Sequence, residues 1–208
     1  MLGNEKYKGD LLMQKTFTVS YLTKQHIRNT GQLNQYFIED DHPAIIPREE
    51  WDAVQEEIAR RKRFREEHGL RGLSSGSGTS PFYGKVFCEH CGCKLQRIYR
   101  KGVKKPYWSC LECGLRMEDS TLRARFCDAY NSIVERRSHY LPGWEEQLRC
   151  GSALERVRAR QMAEVTAGGT IPLEVPELTQ AILQEAWLGQ DGMIKFIFLS
   201  GDRVDMPG

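Results

Sequence analysis

No stretch of this sequence is apolar for long enough to cross a bilayer. The longest, near Met193–Leu199, falls far short of the roughly 20 residues that a spanning helix needs. The opening Met1-Leu2-Gly3-Asn4-Glu5-Lys6 is polar, so nothing there reads as a signal peptide. A cytoplasmic location and no membrane partner are expected. The chain shows no internal repeat. It also lacks a carboxylate cluster or an open set of metal ligands, which argues against a stand-alone metal-dependent nuclease. No small-molecule substrate is expected. Net charge is scarce too: 30 Lys and Arg against 28 Asp and Glu leave +2. Taken whole, that balance says nothing about nucleic acid.

What is there is unevenly placed. Residues 1–38 carry +3, 39–57 carry −7, 58–73 carry +4, 85–108 carry +6 and 109–208 carry −4. Positive charge therefore sits in blocks that a near-neutral total hides. The length of 208 residues and an apolar fraction of 40% fit one or two small domains, each with a modest core.

Residues 1–38 read as strands and turns with a basic hairpin. Leu11-Leu12-Met13, Phe17–Tyr21 and Gln35–Ile38 are β-prone, and Asn29-Thr30-Gly31 is a turn signal. Pro47 suits the first position of a helix, with Glu49 and Glu50 in its first turn. Trp51, Val54 and Ile58 fall on one face of that helix. Its basic end, Arg60–Arg65, suits either a helix C-terminus or a DNA contact. The Gly/Ser-rich residues 69–81 read as a flexible linker.

A compact β unit is expected over 82–117. Asp119 or Ser120 then caps a helix with the apolar face Leu122, Phe126, Tyr130 and Ile133. Pro142-Gly143 is expected to break it. A second helix is predicted over about 144–165, ended by Gly168-Gly169, and a third over Pro176–Trp187. Asp191-Gly192 reads as a hairpin turn before a strand at Met193–Leu199.

Seven cysteines are present, an odd number. Four of them form two C-x-x-C-G knuckles, Cys88-Glu89-His90-Cys91-Gly92 and Cys110-Leu111-Glu112-Cys113-Gly114. In a cytosolic chain such pairs favour a metal over disulfides. Two cysteines three apart on a tight turn offer thiolates on the same side, and the following glycine permits the positive φ of that turn. Cys88, Cys91, Cys110 and Cys113 are thus the predicted ligands of one structural Zn²⁺, with no position left open for water. A rubredoxin-like iron site is the alternative. Cys93 and His90 read as bystanders, Cys127 as core, and Cys150 has no assigned role.

Between the knuckles, Lys101–Pro106 reads as a hairpin tip. The hairpin carries Arg97, Tyr99, Arg100, Lys101, Lys104, Lys105 and Tyr107, with Trp108 beside them. Cations interleaved with aromatics suit phosphate contacts and groove insertion.

Asn4–Asp10, Gln14–Val19, Leu22-Thr23-Lys24, Gln35–Glu39 and His42–Trp51 resemble the end of the recombinase domain of large serine recombinases. The order that follows is similar too: linker, zinc ribbon with Phe87-Cys88 and Tyr107–Cys110, and a terminal strand at Gly192–Phe198. The resemblance is weakest over about 135–175. Members of that family are phage integrases and mobile-element transposases. They bind attachment sites as dimers, assemble into tetramers, and cut DNA with a serine in an N-terminal resolvase-like domain.

The resemblance implies an α+β fold in four parts. Residues 1–68 would be the C-terminal part of the recombinase domain, a small mixed β/α remnant. Residues 69–81 would be the linker. Residues 82–140 would be a four-cysteine zinc ribbon of β-hairpins with its following helix. Residues 141–208 would be a helical extension and C-terminal strand. The family spacing leaves Cys127 as an alternative to Cys113. Double-stranded DNA of an attachment half-site is the implied partner, with other recombinase subunits. Lys15, Lys24, His26 and Arg28 become DNA-contact candidates, the first domain reading the inner half-site and the ribbon the outer part. The catalytic domain has no counterpart here, so the chain is expected not to cleave DNA alone. The segment 144–165 is short and poor in heptads, so a strong coiled-coil contact is not expected. A zinc-ribbon module that pairs with intact recombinase subunits is the alternative reading.

Overall fold

The computed structural model describes residues 3–67, 80–99 and 105–208. The fold is mixed α/β and divides into two compact units, Met1–Arg61 and Lys62–Gly208. The linker expected over 69–81 lies outside the described residues except for its last two.

The first unit opens with a short 3-10 turn, Glu5–Lys8, capped by the Asn4 side chain. Strand β1 (Leu11–Met13) pairs antiparallel with β4 (Tyr36–Ile38), and β2 (Thr16–Ser20) pairs antiparallel with β3 (Gln25–Arg28). Helix α1 (Arg48–Glu67) follows. Apart from Ala53 on the helix, the buried side chains of this unit among the described residues are polar. Asp10 is fully buried, and Arg48 grips its carboxylate with two nitrogens at 2.7 and 3.1 Å. Lys8 lies 3.2 Å away, and the Asp40 backbone N–H donates to it. That cluster ties the opening turn to the start of α1. Asn29 is the second anchor. Its amide donates to the carbonyls of Gln14 and Leu33, and its oxygen accepts from the N–H groups of Gly31 and Leu33. An Asn that satisfies backbone groups in this way fixes a turn that short strands cannot fix alone.

The second unit holds two sheets. Strands β6 (Gln96–Ile98), β7 (Tyr107–Ser109) and β8 (Arg116–Glu118) form an antiparallel meander. Strand β5 (Val86–Cys88) belongs elsewhere: it pairs in parallel with β9 (Leu183–Leu188). With β10 (Met193–Phe198) and β11 (Arg203–Pro207) they make a four-stranded sheet ordered β11-β10-β9-β5. Helix α2 (Asp119–Glu135) packs on both sheets, and α3 (Arg137–Cys150) pairs with α4 (Ala153–Ala167). Helix α5 (Pro176–Ile182) leads into β9. The predicted face of α2, Leu122, Phe126, Tyr130 and Ile133, is buried in full. It joins Phe82, Val86, Trp108, Trp144, Phe196 and Phe198 in one core. Residues on both sides of position 140 share that core.

Several local expectations are corrected. Pro142 does not break a helix but sits inside α3, and the break comes earlier, at Arg136. Proline costs one backbone hydrogen bond there. The neighbouring Trp144 offsets that loss, fully buried and bonded to Asp202 at 2.6 Å. The helix expected over 144–165 is two helices. They part at Gly151, where Ser152 and Glu155 form a capping box that starts α4. The helix expected over Pro176–Trp187 ends at Ile182, and its second half is strand β9. Strand β11 was not foreseen. Neither Asp119 nor Ser120 caps α2, because Glu118 holds the N-cap position without a side-chain bond. Pro47 precedes α1 rather than opening it, and Ile58 on its expected apolar face is 41% exposed.

The Arg48 guanidinium beside Asp10 lowers that carboxyl from the ordinary 3.8 to about 2. A depressed carboxylate stabilises the folded state fully above its unfolded value and loses the effect as pH falls through its folded one. The first unit is therefore expected to loosen between pH 4 and pH 2, both about the values just given. Asp10→Asn should remove this pH step and speed amide exchange across residues 5–48 at neutral pH. Hydrogen-exchange mass spectrometry checks it: equal protection in wild type and variant counts against the Asp10 anchor.

Candidate metal centre and nucleic-acid interface

The two knuckles are structural twins. Cys88 ends β5, and its N–H donates to the Cys93 carbonyl at 2.9 Å, while Gly92 N–H returns to the Cys88 carbonyl at 2.9 Å. Cys110 follows β7, donates to the Leu115 carbonyl at 2.9 Å and accepts from Gly114 N–H at 3.1 Å. Gly92 and Gly114 adopt φ of 70° and 71°, which a side chain would strain. Each turn aims two sulfurs at the other turn. Cys88 Sγ lies 3.3 Å from Cys113 Sγ, and Cys91 Sγ lies 3.4 Å from Cys110 Sγ. All four sulfurs fall within 4.8 Å of one another. Sulfurs bound at about 2.3 Å to one tetrahedral ion stand roughly 3.8 Å apart, so the spacing fits a shared metal.

Cys113, not Cys127, completes this group. Cys127 is buried on α2, where burial first and the Glu174 and Asp128 carboxylates next raise its thiol. Within the cluster, burial opposes ionisation of Cys110. The backbone N–H groups of Cys113 and Glu112 and the Cys91 and Cys113 thiols outweigh it and lower Cys110 to about 7. Cys91 moves the other way. The Cys93 backbone favours its thiolate, but burial and the surrounding sulfurs raise it overall. Four thiols this close cannot all ionise together unless a cation offsets their repulsion. The donor set thus suits a soft metal ion in a closed shell.

The basic candidates separate into several environments. In the first unit, His26 and Arg28 face the same side of the β2–β3 ribbon, opposite Thr18 and Thr16. Lys24 sits at its tip, and all three side chains are exposed. Lys15 is engaged: its ammonium contacts the Glu5 carboxylate at 2.6 Å. In the second unit, Tyr99 is 74% exposed and Lys105 stands near Glu118 at 3.3 Å. Tyr107 is partly buried, with the Arg116 guanidinium over its ring. Arg100, Lys101 and Lys104 lie outside the described residues. Trp108 is fully buried and belongs to the core.

Arg97 shows what residue type alone could not reveal. Its guanidinium meets buried Asp119 at 2.9 and 3.3 Å. Asp119 also accepts from Trp108 Nε1 at 2.9 Å and Arg123 Nε at 2.7 Å. Burial opposes ionisation of that carboxyl, and the two arginines outweigh it and lower it. The carboxylate thereby binds β6 and β7 to α2. An aspartate right after a strand and before a helix face reads as a cap in sequence, so this role stayed hidden.

Comparison with known proteins gives one match. Residues 1–61 match the family model described as Recombinase. The likeness is confined to that first segment of the chain. No curated protein and no solved structure matches the chain. Among the described residues, no helix is long and apolar enough to cross a membrane.

The geometry groups the Cys113 sulfur, not that of Cys127, with the other three. Cys113→Ser is expected to abolish stable metal uptake, whereas Cys127→Ser should leave the bound metal unchanged. Metal content per chain after gel filtration measures both. Loss of metal in Cys127→Ser with retention in Cys113→Ser would reverse the assignment.

Proposed function

We propose that this chain is the DNA-binding portion of a site-specific large serine recombinase, acting in the cytoplasm on an attachment half-site. The match of residues 1–61 to the Recombinase family carries this reading. The four-cysteine cluster that follows it supports a zinc ribbon. One Zn²⁺ bound by Cys88, Cys91, Cys110 and Cys113 has a structural role, because a closed thiolate shell leaves no site for water or substrate. DNA cleavage is assigned to a serine outside these residues. Partner subunits join through the whole recombinase.

The DNA surface comprises Lys24, His26 and Arg28 in the first unit. In the second it comprises Tyr99, Arg100, Lys101, Lys104, Lys105 and Tyr107. Lys15 and Arg97, satisfied by Glu5 and Asp119, are assigned positioning roles. The alternative, a module that pairs with intact recombinase subunits, draws on apolar side chains left exposed in the first unit, among them Phe37 and Ile38.

Selection from fragmented genomic DNA, followed by sequencing, is expected to enrich one site. With about five phosphate contacts, log affinity for it should fall with log salt at a slope of about −4.5. Lys105→Ala should make that slope shallower by about 0.9 and leave stability unchanged. Arg97→Ala should instead lower stability, by about 1.5 kcal/mol, because it removes one of the partners of Asp119 while Arg123 and Trp108 remain. Salt-insensitive binding, or a stable complex with intact recombinase in place of any DNA binding, would favour the alternative.

A further inference from the structure

The tip of the β2–β3 ribbon is unusual for a surface turn. Tyr21 and Leu22 stand side by side there, 94% and 97% exposed. Solvated apolar side chains gain nothing from such a position unless something covers them. The turn that presents them is pinned. Lys24 N–H donates to the Ser20 carbonyl at 2.9 Å, Thr23 N–H meets Ser20 Oγ, and Lys24 takes a positive φ of 51°. A non-glycine residue held in that conformation fixes the direction of the two side chains before any partner arrives.

The surroundings name the partner. Residues 11–38 contain no acidic side chain at all, while Lys15, Lys24 and Arg28 lie among them. His26 and Arg28 line one face of the ribbon behind the tip, with Thr16 and Thr18 opposite them. An apolar pair leading, with Lys24, Arg28 and hydroxyls following and no acidic residue in the ribbon's own sequence, is complementary to a polyanion with an apolar interior. A two-stranded ribbon also fits a duplex groove. A protein surface would be matched by charges of both signs, and residues 16–28 of the ribbon and its turn carry only one.

We infer that the β2–β3 tip is a wedge, which inserts Leu22 and Tyr21 at a base step of duplex DNA while Lys24, His26 and Arg28 hold the flanking phosphates. This rests on the DNA-binding reading above and adds distortion of the duplex to it. Apolar side chains that enter a groove part-unstack a step and bend the helix, and flexible pyrimidine–purine steps yield most readily. The wedge thereby selects sequence by deformability, without hydrogen bonds to base edges.

The test uses the full chain and a duplex of the sequence enriched in the selection, or a random-sequence 40-base-pair pool if none is enriched. Permanganate oxidises unstacked thymines, so bound wild-type protein should create reactive thymines at one step of the site. Tyr21→Ala/Leu22→Ser should abolish that reactivity and weaken binding about tenfold, with the salt slope unchanged. Lys24→Ala/Arg28→Ala should keep the reactivity at saturating protein and make the slope shallower by about 1.8. All four side chains are solvent-exposed, and circular dichroism verifies that each variant folds. If the wild type binds and unstacks nothing, or the tip variant matches it in affinity and footprint, the wedge is wrong while DNA binding stands. If the tip variant keeps full DNA affinity but loses self-association, the tip belongs to a protein contact and the proposal falls. If the wild type binds no duplex, the parent reading fails with it.

Discussion

The convergence of four sulfurs on one point is the constraint on which the second unit depends. Cys88 ends a strand of the four-stranded sheet, and Cys110 follows the middle strand of the three-stranded meander. The cluster therefore joins two sheets that share no strand. Strands of three residues bury too little to hold such a joint alone. A metal ion bound to four thiolates contributes folding energy directly. Around it, Asp119 repeats the same logic with charge. It gathers Arg97, Arg123 and Trp108 Nε1 and fastens the meander to α2. The exposed side of the hairpin, with Tyr99 and Lys105, is thus carried on a scaffold braced twice.

The first unit solves a different problem. It has short strands and many exposed apolar side chains, and the side chains at its centre are Asp10 and Asn29. Polar groups buried this way specify one geometry only if each is satisfied. Here they are: Asp10 accepts from Arg48, Lys8 and a backbone N–H, and Asn29 uses both ends of its amide. The result is a set of turns held in register, with the β2–β3 ribbon between them. A unit that presents turns and ribbons, rather than an apolar core, suits a surface meant to be covered by something else.

Much of this was legible in the sequence where the signal was local. The twin knuckles could be read because a C-x-x-C-G turn carries its own geometry. The α2 face could be read because Leu122, Phe126, Tyr130 and Ile133 keep helical spacing over about three turns. The capping box at Ser152 and Glu155 was equally local, and was passed over in favour of one longer helix. What could not be read was non-local. Leu183–Leu188 contains Leu, Gln, Glu and Ala, good helix formers, yet becomes a strand because β5 pairs with it from 100 residues away. Tertiary pairing overrides propensity in such a segment. Pro142 tells a similar story, since the buried ring of Trp144 keeps the helix going past it. Arg97 looked like any other hairpin cation because its partner Asp119 lies across the meander.

The account holds that the metal cluster organises the outer DNA surface while the first unit stands without it. Hydrogen exchange combined with footprinting on the selected site, before and after metal removal, tests this most directly. Metal removal is predicted to expose the amides of 86–118 and erase the outer part of the footprint. Protection over 5–48 and the inner contacts should persist. An unchanged footprint and unchanged protection over 86–118 in the metal-free protein would contradict the account.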